Sequence, residues 1–122
     1  MKSPDGKKYH ANAHSDRMLE IRALNDKLRV EGRGGYFIVT PGVYELGFEE
    51  YAQIRDAIAS INDFRFENDP FGEHDFGKVS INGWKIFWKI DYYDKSEQCH
   101  SPDPSDPKVT SRYLTIMLAS EY

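Results

Sequence analysis

The sequence is short of cysteine, of long apolar runs and of positive charge, and each shortage excludes something. Its single cysteine, Cys99, has no partner within the chain, so no internal disulfide can staple the fold. A reducing, cytoplasmic setting is the simpler expectation. No apolar run approaches the ~20 residues that span a bilayer, so no membrane partner is expected. The opening "MKSPDGKKYH" holds no apolar stretch of the kind a secretory signal needs. Lys and Arg number 16 against 20 Asp and Glu. A nucleic-acid footprint requires clustered positive charge, so direct nucleic-acid binding is not expected either.

What is present suits one compact domain. The 122 residues include eight Tyr, seven Phe and two Trp, enough to build a core although 30% of the chain is charged. The charge is uneven. Residues 1–33 carry eight basic against five acidic side chains, whereas residues 34–122 carry eight against fifteen. Within 45–75, nine acidic residues face only Arg55 and Arg65. Such a surface is either a solvated face or one that attracts a basic partner.

Residues 1–13 read as a flexible arm before a single α+β domain over 14–122. Ser15 caps a helix in which Met18, Ile21, Leu24 and Leu28 recur at helical spacing, and Gly32, Gly34 and Gly35 end it. "YFIVT" is a strand that stops at the Pro41-Gly42 turn pair. Phe48, Tyr51, Ile54, Ile58 and Ile61 form the apolar stripe of a second helix. From Trp84 to Tyr93 the sequence alternates, with Trp84, Ile86, Trp88, Ile90 and Tyr92 on one face. A loop over 95–110 contains Pro102, Pro104 and Pro107, and "RYLTIMLASEY" supplies the last strand. The element order α-β-α-β-β-β predicts an α+β domain: an antiparallel sheet of about four strands with two helices on one face.

Between the second helix and the hairpin lies "NDPFGEHDFG", residues 68–77. Asn82-Gly83 is a strong hairpin signal, and a two-residue turn fixes the pairing on either side. Val79 then meets Ile86, Gly77 meets Trp88 and Phe76 meets Lys89. If pairing continues, His74 meets Asp91 at a Cβ separation of about 5 Å. Asp91 would orient the imidazole and choose its tautomer.

The blocks "NDPFGEHDFG", "WKIDYYD" and "LTIMLASEY", in that order, resemble an uncharacterised alphaproteobacterial domain family of about this size. The resemblance runs over residues 16–122. The family's closing strand often opens Thr-x-Arg followed by an apolar residue; Thr110 and Arg112 fit, and Tyr113 departs. The resemblance implies a bacterial cytoplasmic protein, an accessory of plasmid or phage DNA. It carries over no catalytic residue.

Two functional classes follow. The first is an interaction module. It would bind a basic protein partner through an acidic, aromatic-rich surface of Glu67, Asp69, Phe71, Glu73, Asp75 and Tyr93. One form is a mobile-element inhibitor of a host nucleic-acid-handling or defence complex. The second is a small metal-assisted or His/Asp hydrolase of a nucleotide or phosphoester, with His74 and Asp91 as its catalytic pair. Asp69, Glu73, His74, Asp75 and Asp91 offer ligands for a divalent ion, but consecutive strand side chains diverge, so no metal ligand and no cofactor are assigned. His10 with His14, Cys99 with His100, and the "GRGG" of 32–35 are weaker sites. The last lacks the following helix that a phosphate loop requires.

Overall fold

The structure, a computed structural model, describes residues 6–65 and 67–122, with side chains from residue 16 onward. It is a mixed α+β fold. Helix α1 spans Gly6–Glu31, strand β1 Tyr36–Val39, a single helical turn α2 Pro41–Tyr44, and helix α3 Phe48–Ala59. Strands β2 (Phe76–Ile81), β3 (Trp84–Tyr93) and β4 (Ser111–Leu118) follow, closed by a 3-10 turn at Ala119–Glu121.

The start of the expected arm, residues 1–5, lies outside the described residues. From Gly6 the backbone is already helical, well ahead of Ser15. No Pro or Gly stands between Gly6 and Ser15 to interrupt the hydrogen-bond ladder, so the cap residue is overrun. At the other end Gly32, at φ 71°, donates its N–H to the Leu28 carbonyl and stops the helix. The Pro41-Gly42 pair, expected as a plain turn, opens α2 instead, with proline in the first helical turn where its missing N–H costs nothing.

The strand order is β1-β4-β3-β2. The β2–β3 hairpin has the register expected from Asn82-Gly83, with Gly77 opposite Trp88 and Phe76 opposite Lys89. Both turn residues have positive φ, 51° and 86°. β3 and β4 are antiparallel too, pairing Ile86 with Leu118 and Trp88 with Ile116. β1 differs from the expected all-antiparallel sheet: it lies parallel to β4, Tyr36 beside Tyr113 and Val39 beside Ile116. Four β-branched and aromatic residues specify a strand but not its direction. The close approach of Gly35 helps seat it, since a Cβ there would stand 2.5 Å from the Arg112 carbonyl oxygen.

The core joins Ile21 and Leu28 of α1, Val43, and Ile54 and Ile58 of α3 to one set of alternating sheet residues: Ile86, Trp88, Ile90, Tyr92, Leu114 and Ile116. Two polar side chains of α1, Asn25 and Arg29, are buried among them. The other side of the sheet carries Phe76, Phe87 and Tyr122 in mutual ring contact and, further along, Tyr36, Tyr93 and Tyr113. Phe48, read as part of the α3 core stripe, is instead the first residue of the helix and 82% exposed.

Candidate functional site

The acidic motif is where the sequence places chemistry, and the structure turns most of it inward. β2 begins at Phe76; one residue earlier the Asp75 carbonyl still accepts the Ile90 N–H at 2.8 Å. Then pairing ends. His74 takes φ 57°, a left-handed conformation that steers the chain off the sheet and toward α1. Its backbone N–H donates to Asp69 Oδ1 at 3.0 Å, and its Nδ1 donates to Asp26 Oδ1 at 2.9 Å. A carboxylate only accepts, so the shared proton sits on Nδ1. The ring also stacks on Phe64, centroids 3.7 Å apart and nearly parallel.

The expected His74–Asp91 pair is therefore corrected. The extrapolated ladder would have put them opposite one another, but the positive φ at His74 breaks the ladder first. Asp91 instead pairs with Lys89 at 3.2 Å and lies in register with Tyr113. No catalytic dyad forms from these two residues.

The rest of the block locks onto the polar stripe of α1. Arg22 Nε donates to the Gly72 carbonyl at 2.7 Å. Asn25 Nδ2 donates to the Glu73 carbonyl at 2.9 Å and to the Tyr92 hydroxyl at 2.8 Å. Tyr92 in turn donates to Glu73 Oε1 at 2.8 Å. Arg112 Nε reaches Asn25 Oδ1 at 2.6 Å and its Nη2 donates to the Pro104 carbonyl, which ties the proline loop to the same network. Burial holds the Tyr92 phenol well above its ordinary range and pulls the Arg112 guanidinium down from its own.

Of the residues expected to form an acidic binding surface, Asp69 is buried and Glu73 is tied to Tyr92, so neither is available to a partner as a free surface acid. Glu67 and Phe71 remain exposed on the outer turn. Tyr93 lies on the opposite side of the sheet, against Tyr113. Asp75 is half-buried and lines a cleft of about 330 Å3 with Asp91, Tyr92, Gln98, Cys99 and His100. Burial, aided by the charges of Glu73, Asp69 and Asp91, pushes its carboxyl up to about 6. Cys99 is exposed on this rim. Among the described residues no group of three or more His, Cys, Asp or Glu is arranged to hold a metal ion. His10 and His14 lie outside the described side chains.

Two features escaped sequence reading. The first is Arg22, Asn25, Asp26 and Arg29, which sit at helical spacing in α1; Asn25 and Arg29 on either side of Leu28 are the available signal. The second is an apolar groove of about 510 Å3 between β1, α2 and α3, lined by Phe37, Val39, Val43, Tyr44, Phe48 and Tyr51. Tyr44 and Phe48 overhang it, and exposed Glu45 and Glu49 follow them in sequence.

Among the described residues no helix is long and apolar enough to cross a membrane. No curated protein and no solved structure matches the chain. A family match covers residues 39–121, a shorter span than the 16–122 of the resemblance, and it leaves out the α1 residues that grip the motif. By that match the chain belongs to DUF3768, described as a protein of unknown function.

Proposed function

We propose that the protein is a non-enzymatic binding module for a protein partner with basic character, and that the partner docks at the groove beside β1 rather than on the "NDPFGEHDFG" block. The observation that carries this reading is the pair of aromatic side chains, Tyr44 and Phe48, 77% and 82% exposed over an apolar groove. Large aromatics left in water at a concave apolar site favour a macromolecular contact. Exposed Glu45 and Glu49, next in sequence to Tyr44 and Phe48, supply negative charge beside it, which favours lysine or arginine beside the partner's apolar anchor. The motif's internal hydrogen bonds support the same reading from the other side: His74 and the Glu73 carbonyl bind α1, and Asp69 holds the His74 backbone in place. The resemblance to accessory proteins of mobile DNA gives the reading a specific form. The module would then occupy a basic surface of a host nucleic-acid-handling or defence complex.

The test is site-specific photo-cross-linking. Benzoylphenylalanine replaces Phe48 in one variant and the exposed Ala52 in another, and both are irradiated in cells of the native host. The expected result is one basic protein captured from position 48 and not from position 52. Capture weakens in 0.5 M salt and is lost when Glu45→Lys and Glu49→Lys are combined. Capture that ignores salt and charge reversal, or no preference for position 48, overturns the reading.

The hydrolase alternative retains one feature, the Asp75 cleft with a carboxyl titrating near pH 6. Phosphoester turnover abolished by Asp75→Asn in an otherwise folded protein would establish it in place of the binding module.

A further inference from the structure

On the uncovered side of the sheet, Tyr93 of β3 and Tyr113 of β4 stand with ring centroids 5.7 Å apart and planes at 75°. They make two perpendicular walls. Tyr36 stacks against the back of Tyr113 at 4.9 Å and fixes its ring. Glu97 reaches across from the loop after β3, its Oε2 accepting the Tyr113 hydroxyl at 2.8 Å. Ile38, Tyr93, Glu97 and Tyr113 line a shallow pocket of about 250 Å3.

Glu97 is not there by default. It holds φ 62°, a left-handed conformation that a residue with a long side chain adopts at a cost of about 1–2 kcal/mol. The turn around it is built to keep it so: Asp94 Oδ1 accepts from the Ser96 hydroxyl and from the Gln98 and Cys99 N–H groups, and the Glu97 N–H donates to the Asp94 carbonyl. The turn thus delivers a carboxylate to the open edge of two tyrosine faces. Aromatic faces carry negative potential, and with a carboxylate beside them they select a cation and repel a phosphate. On the same side of the sheet Asp91 pairs with Lys89 at 3.2 Å.

We propose that this pocket takes one cationic side chain, lysine or arginine, of an extended partner segment that lies along β1. The proposal rests on the reading of the protein as a module for a basic partner and names how that partner is read. β1 is the terminal strand of the sheet, so its outer edge presents main-chain groups to an added strand. Its side chains alternate: Phe37 and Val39 line the apolar groove, and Ile38 lines the tyrosine pocket. A strand laid beside it alternates in the same way. It therefore presents apolar side chains to the groove and, on the other side, cationic ones that extend over Ile38 toward Tyr113 and Glu97, so its recognisable pattern is apolar-basic-apolar.

The pocket is tested without the natural partner. Titration of the purified protein with n-butylguanidinium and n-butylammonium is followed by NMR at the Tyr93 and Tyr113 ring signals, with sodium butyrate as control. Saturable shifts with either cation and none with butyrate are expected. Glu97→Gln weakens binding roughly tenfold, and its unchanged amide spectrum elsewhere shows that the fold is intact. The peptide acetyl-Val-Lys-Val-Lys-Val-amide binds, and its glutamate counterpart does not. Tyr93→Leu lowers affinity for the lysine peptide. The cation pocket is overturned by shifts that fail to saturate, or by cation affinity that Glu97→Gln leaves unchanged. The strand-addition part is overturned if the lysine peptide perturbs the pocket but leaves the β1 amides unmoved. Failure of either, with specific capture still seen from position 48, removes this inference and leaves the binding module standing.

Discussion

Replacing His74 with alanine tests the central structural conclusion, that the motif is a clasp. Three losses follow from the geometry. The charge-assisted bond to Asp26 disappears, a contribution of about 1.5–3 kcal/mol for a hydrogen bond to a charged group. The stack on Phe64 disappears, about 0.5–1.5 kcal/mol. The partly buried imidazole also leaves a gap against α1. Asp26 is not orphaned, because Arg29 Nη2 still donates to it at 2.9 Å, so the bond is counted at its lower end. The N–H to Asp69 is a backbone bond and survives. The sum is about 2–4 kcal/mol of lost stability. With a urea slope of about 2 kcal/mol/M for a small domain, the midpoint falls by roughly 1–2 M.

Two comparisons isolate the cause. His74→Gly removes the same side chain while relieving the positive φ, so it should be less damaging than alanine by about 1 kcal/mol. A double-mutant cycle with Asp26→Ala should show a coupling of at least about 1 kcal/mol. Equilibrium urea denaturation by circular dichroism and tyrosine fluorescence reads every variant against wild type. A loss below about 0.5 kcal/mol for His74→Ala, or a coupling near zero, refutes the clasp.

Two further perturbations probe the same region. Gly77→Ala places a Cβ 2.5–2.7 Å from the Trp88 indole, which is fully buried and cannot retreat. The overpacking cost of about 1–3 kcal/mol exceeds the roughly 0.5–1 kcal/mol that alanine gains over glycine, so the variant should melt lower; an unchanged or raised Tm refutes this. Asp75→Asn tests the raised carboxyl. Its native pKa of about 6 lies above the ordinary 3.8, so the folded state holds the proton more tightly. Wild type therefore gains stability from this group as pH falls through 6, with the gain complete below about 3.8. The asparagine side chain mimics the protonated form at every pH. The variant should be more stable than wild type at pH 8, and the difference should shrink toward zero by pH 4. A difference constant across urea titrations from pH 4 to 8 refutes the assignment.

The parts of the fold legible in the sequence are those set by local rules. Asn82-Gly83 dictates positive φ at two adjacent residues, and that one requirement determines the hairpin register through Phe76 and Lys89. The alternation from Trp84 marks the buried side of β3 down to Tyr92, with Trp84 itself half in water at the hairpin end. The direction of β1 was not legible, because parallel pairing with β4 is decided by where the chain returns after the intervening elements. The His74 position failed for a related reason. A ladder continued to His74 runs into residues whose own composition argues against it: Pro70 and Gly72 stand just upstream, and histidine tolerates a left-handed turn better than most residues. Competition from α1 decides the matter, and the side chain that wins, Asp26, is 48 residues away in sequence.

That competition also accounts for the motif's composition. α1 presents an interrupted apolar stripe, in which Ile21 and Leu28 are buried beside Asn25 and Arg29. Apolar burial is non-directional, and a helix held by two such residues could slide or roll against the sheet. Directional bonds remove that freedom. Arg22, Asn25 and Asp26 each reach the acidic block, and Arg29 donates to the Ile58 and Ile61 carbonyls where α3 ends, a favourable place for a cation. A loop that receives a polar helix face must itself be dense in acceptors, tight turns and a few planar rings. Asn, Asp, Glu, His, Gly and Phe in ten residues is that inventory. An active site draws on the same inventory, and what separates the two is whether the lone pairs point at an open cavity or at another element. In this chain Asp69, Glu73 and His74 point at their neighbours.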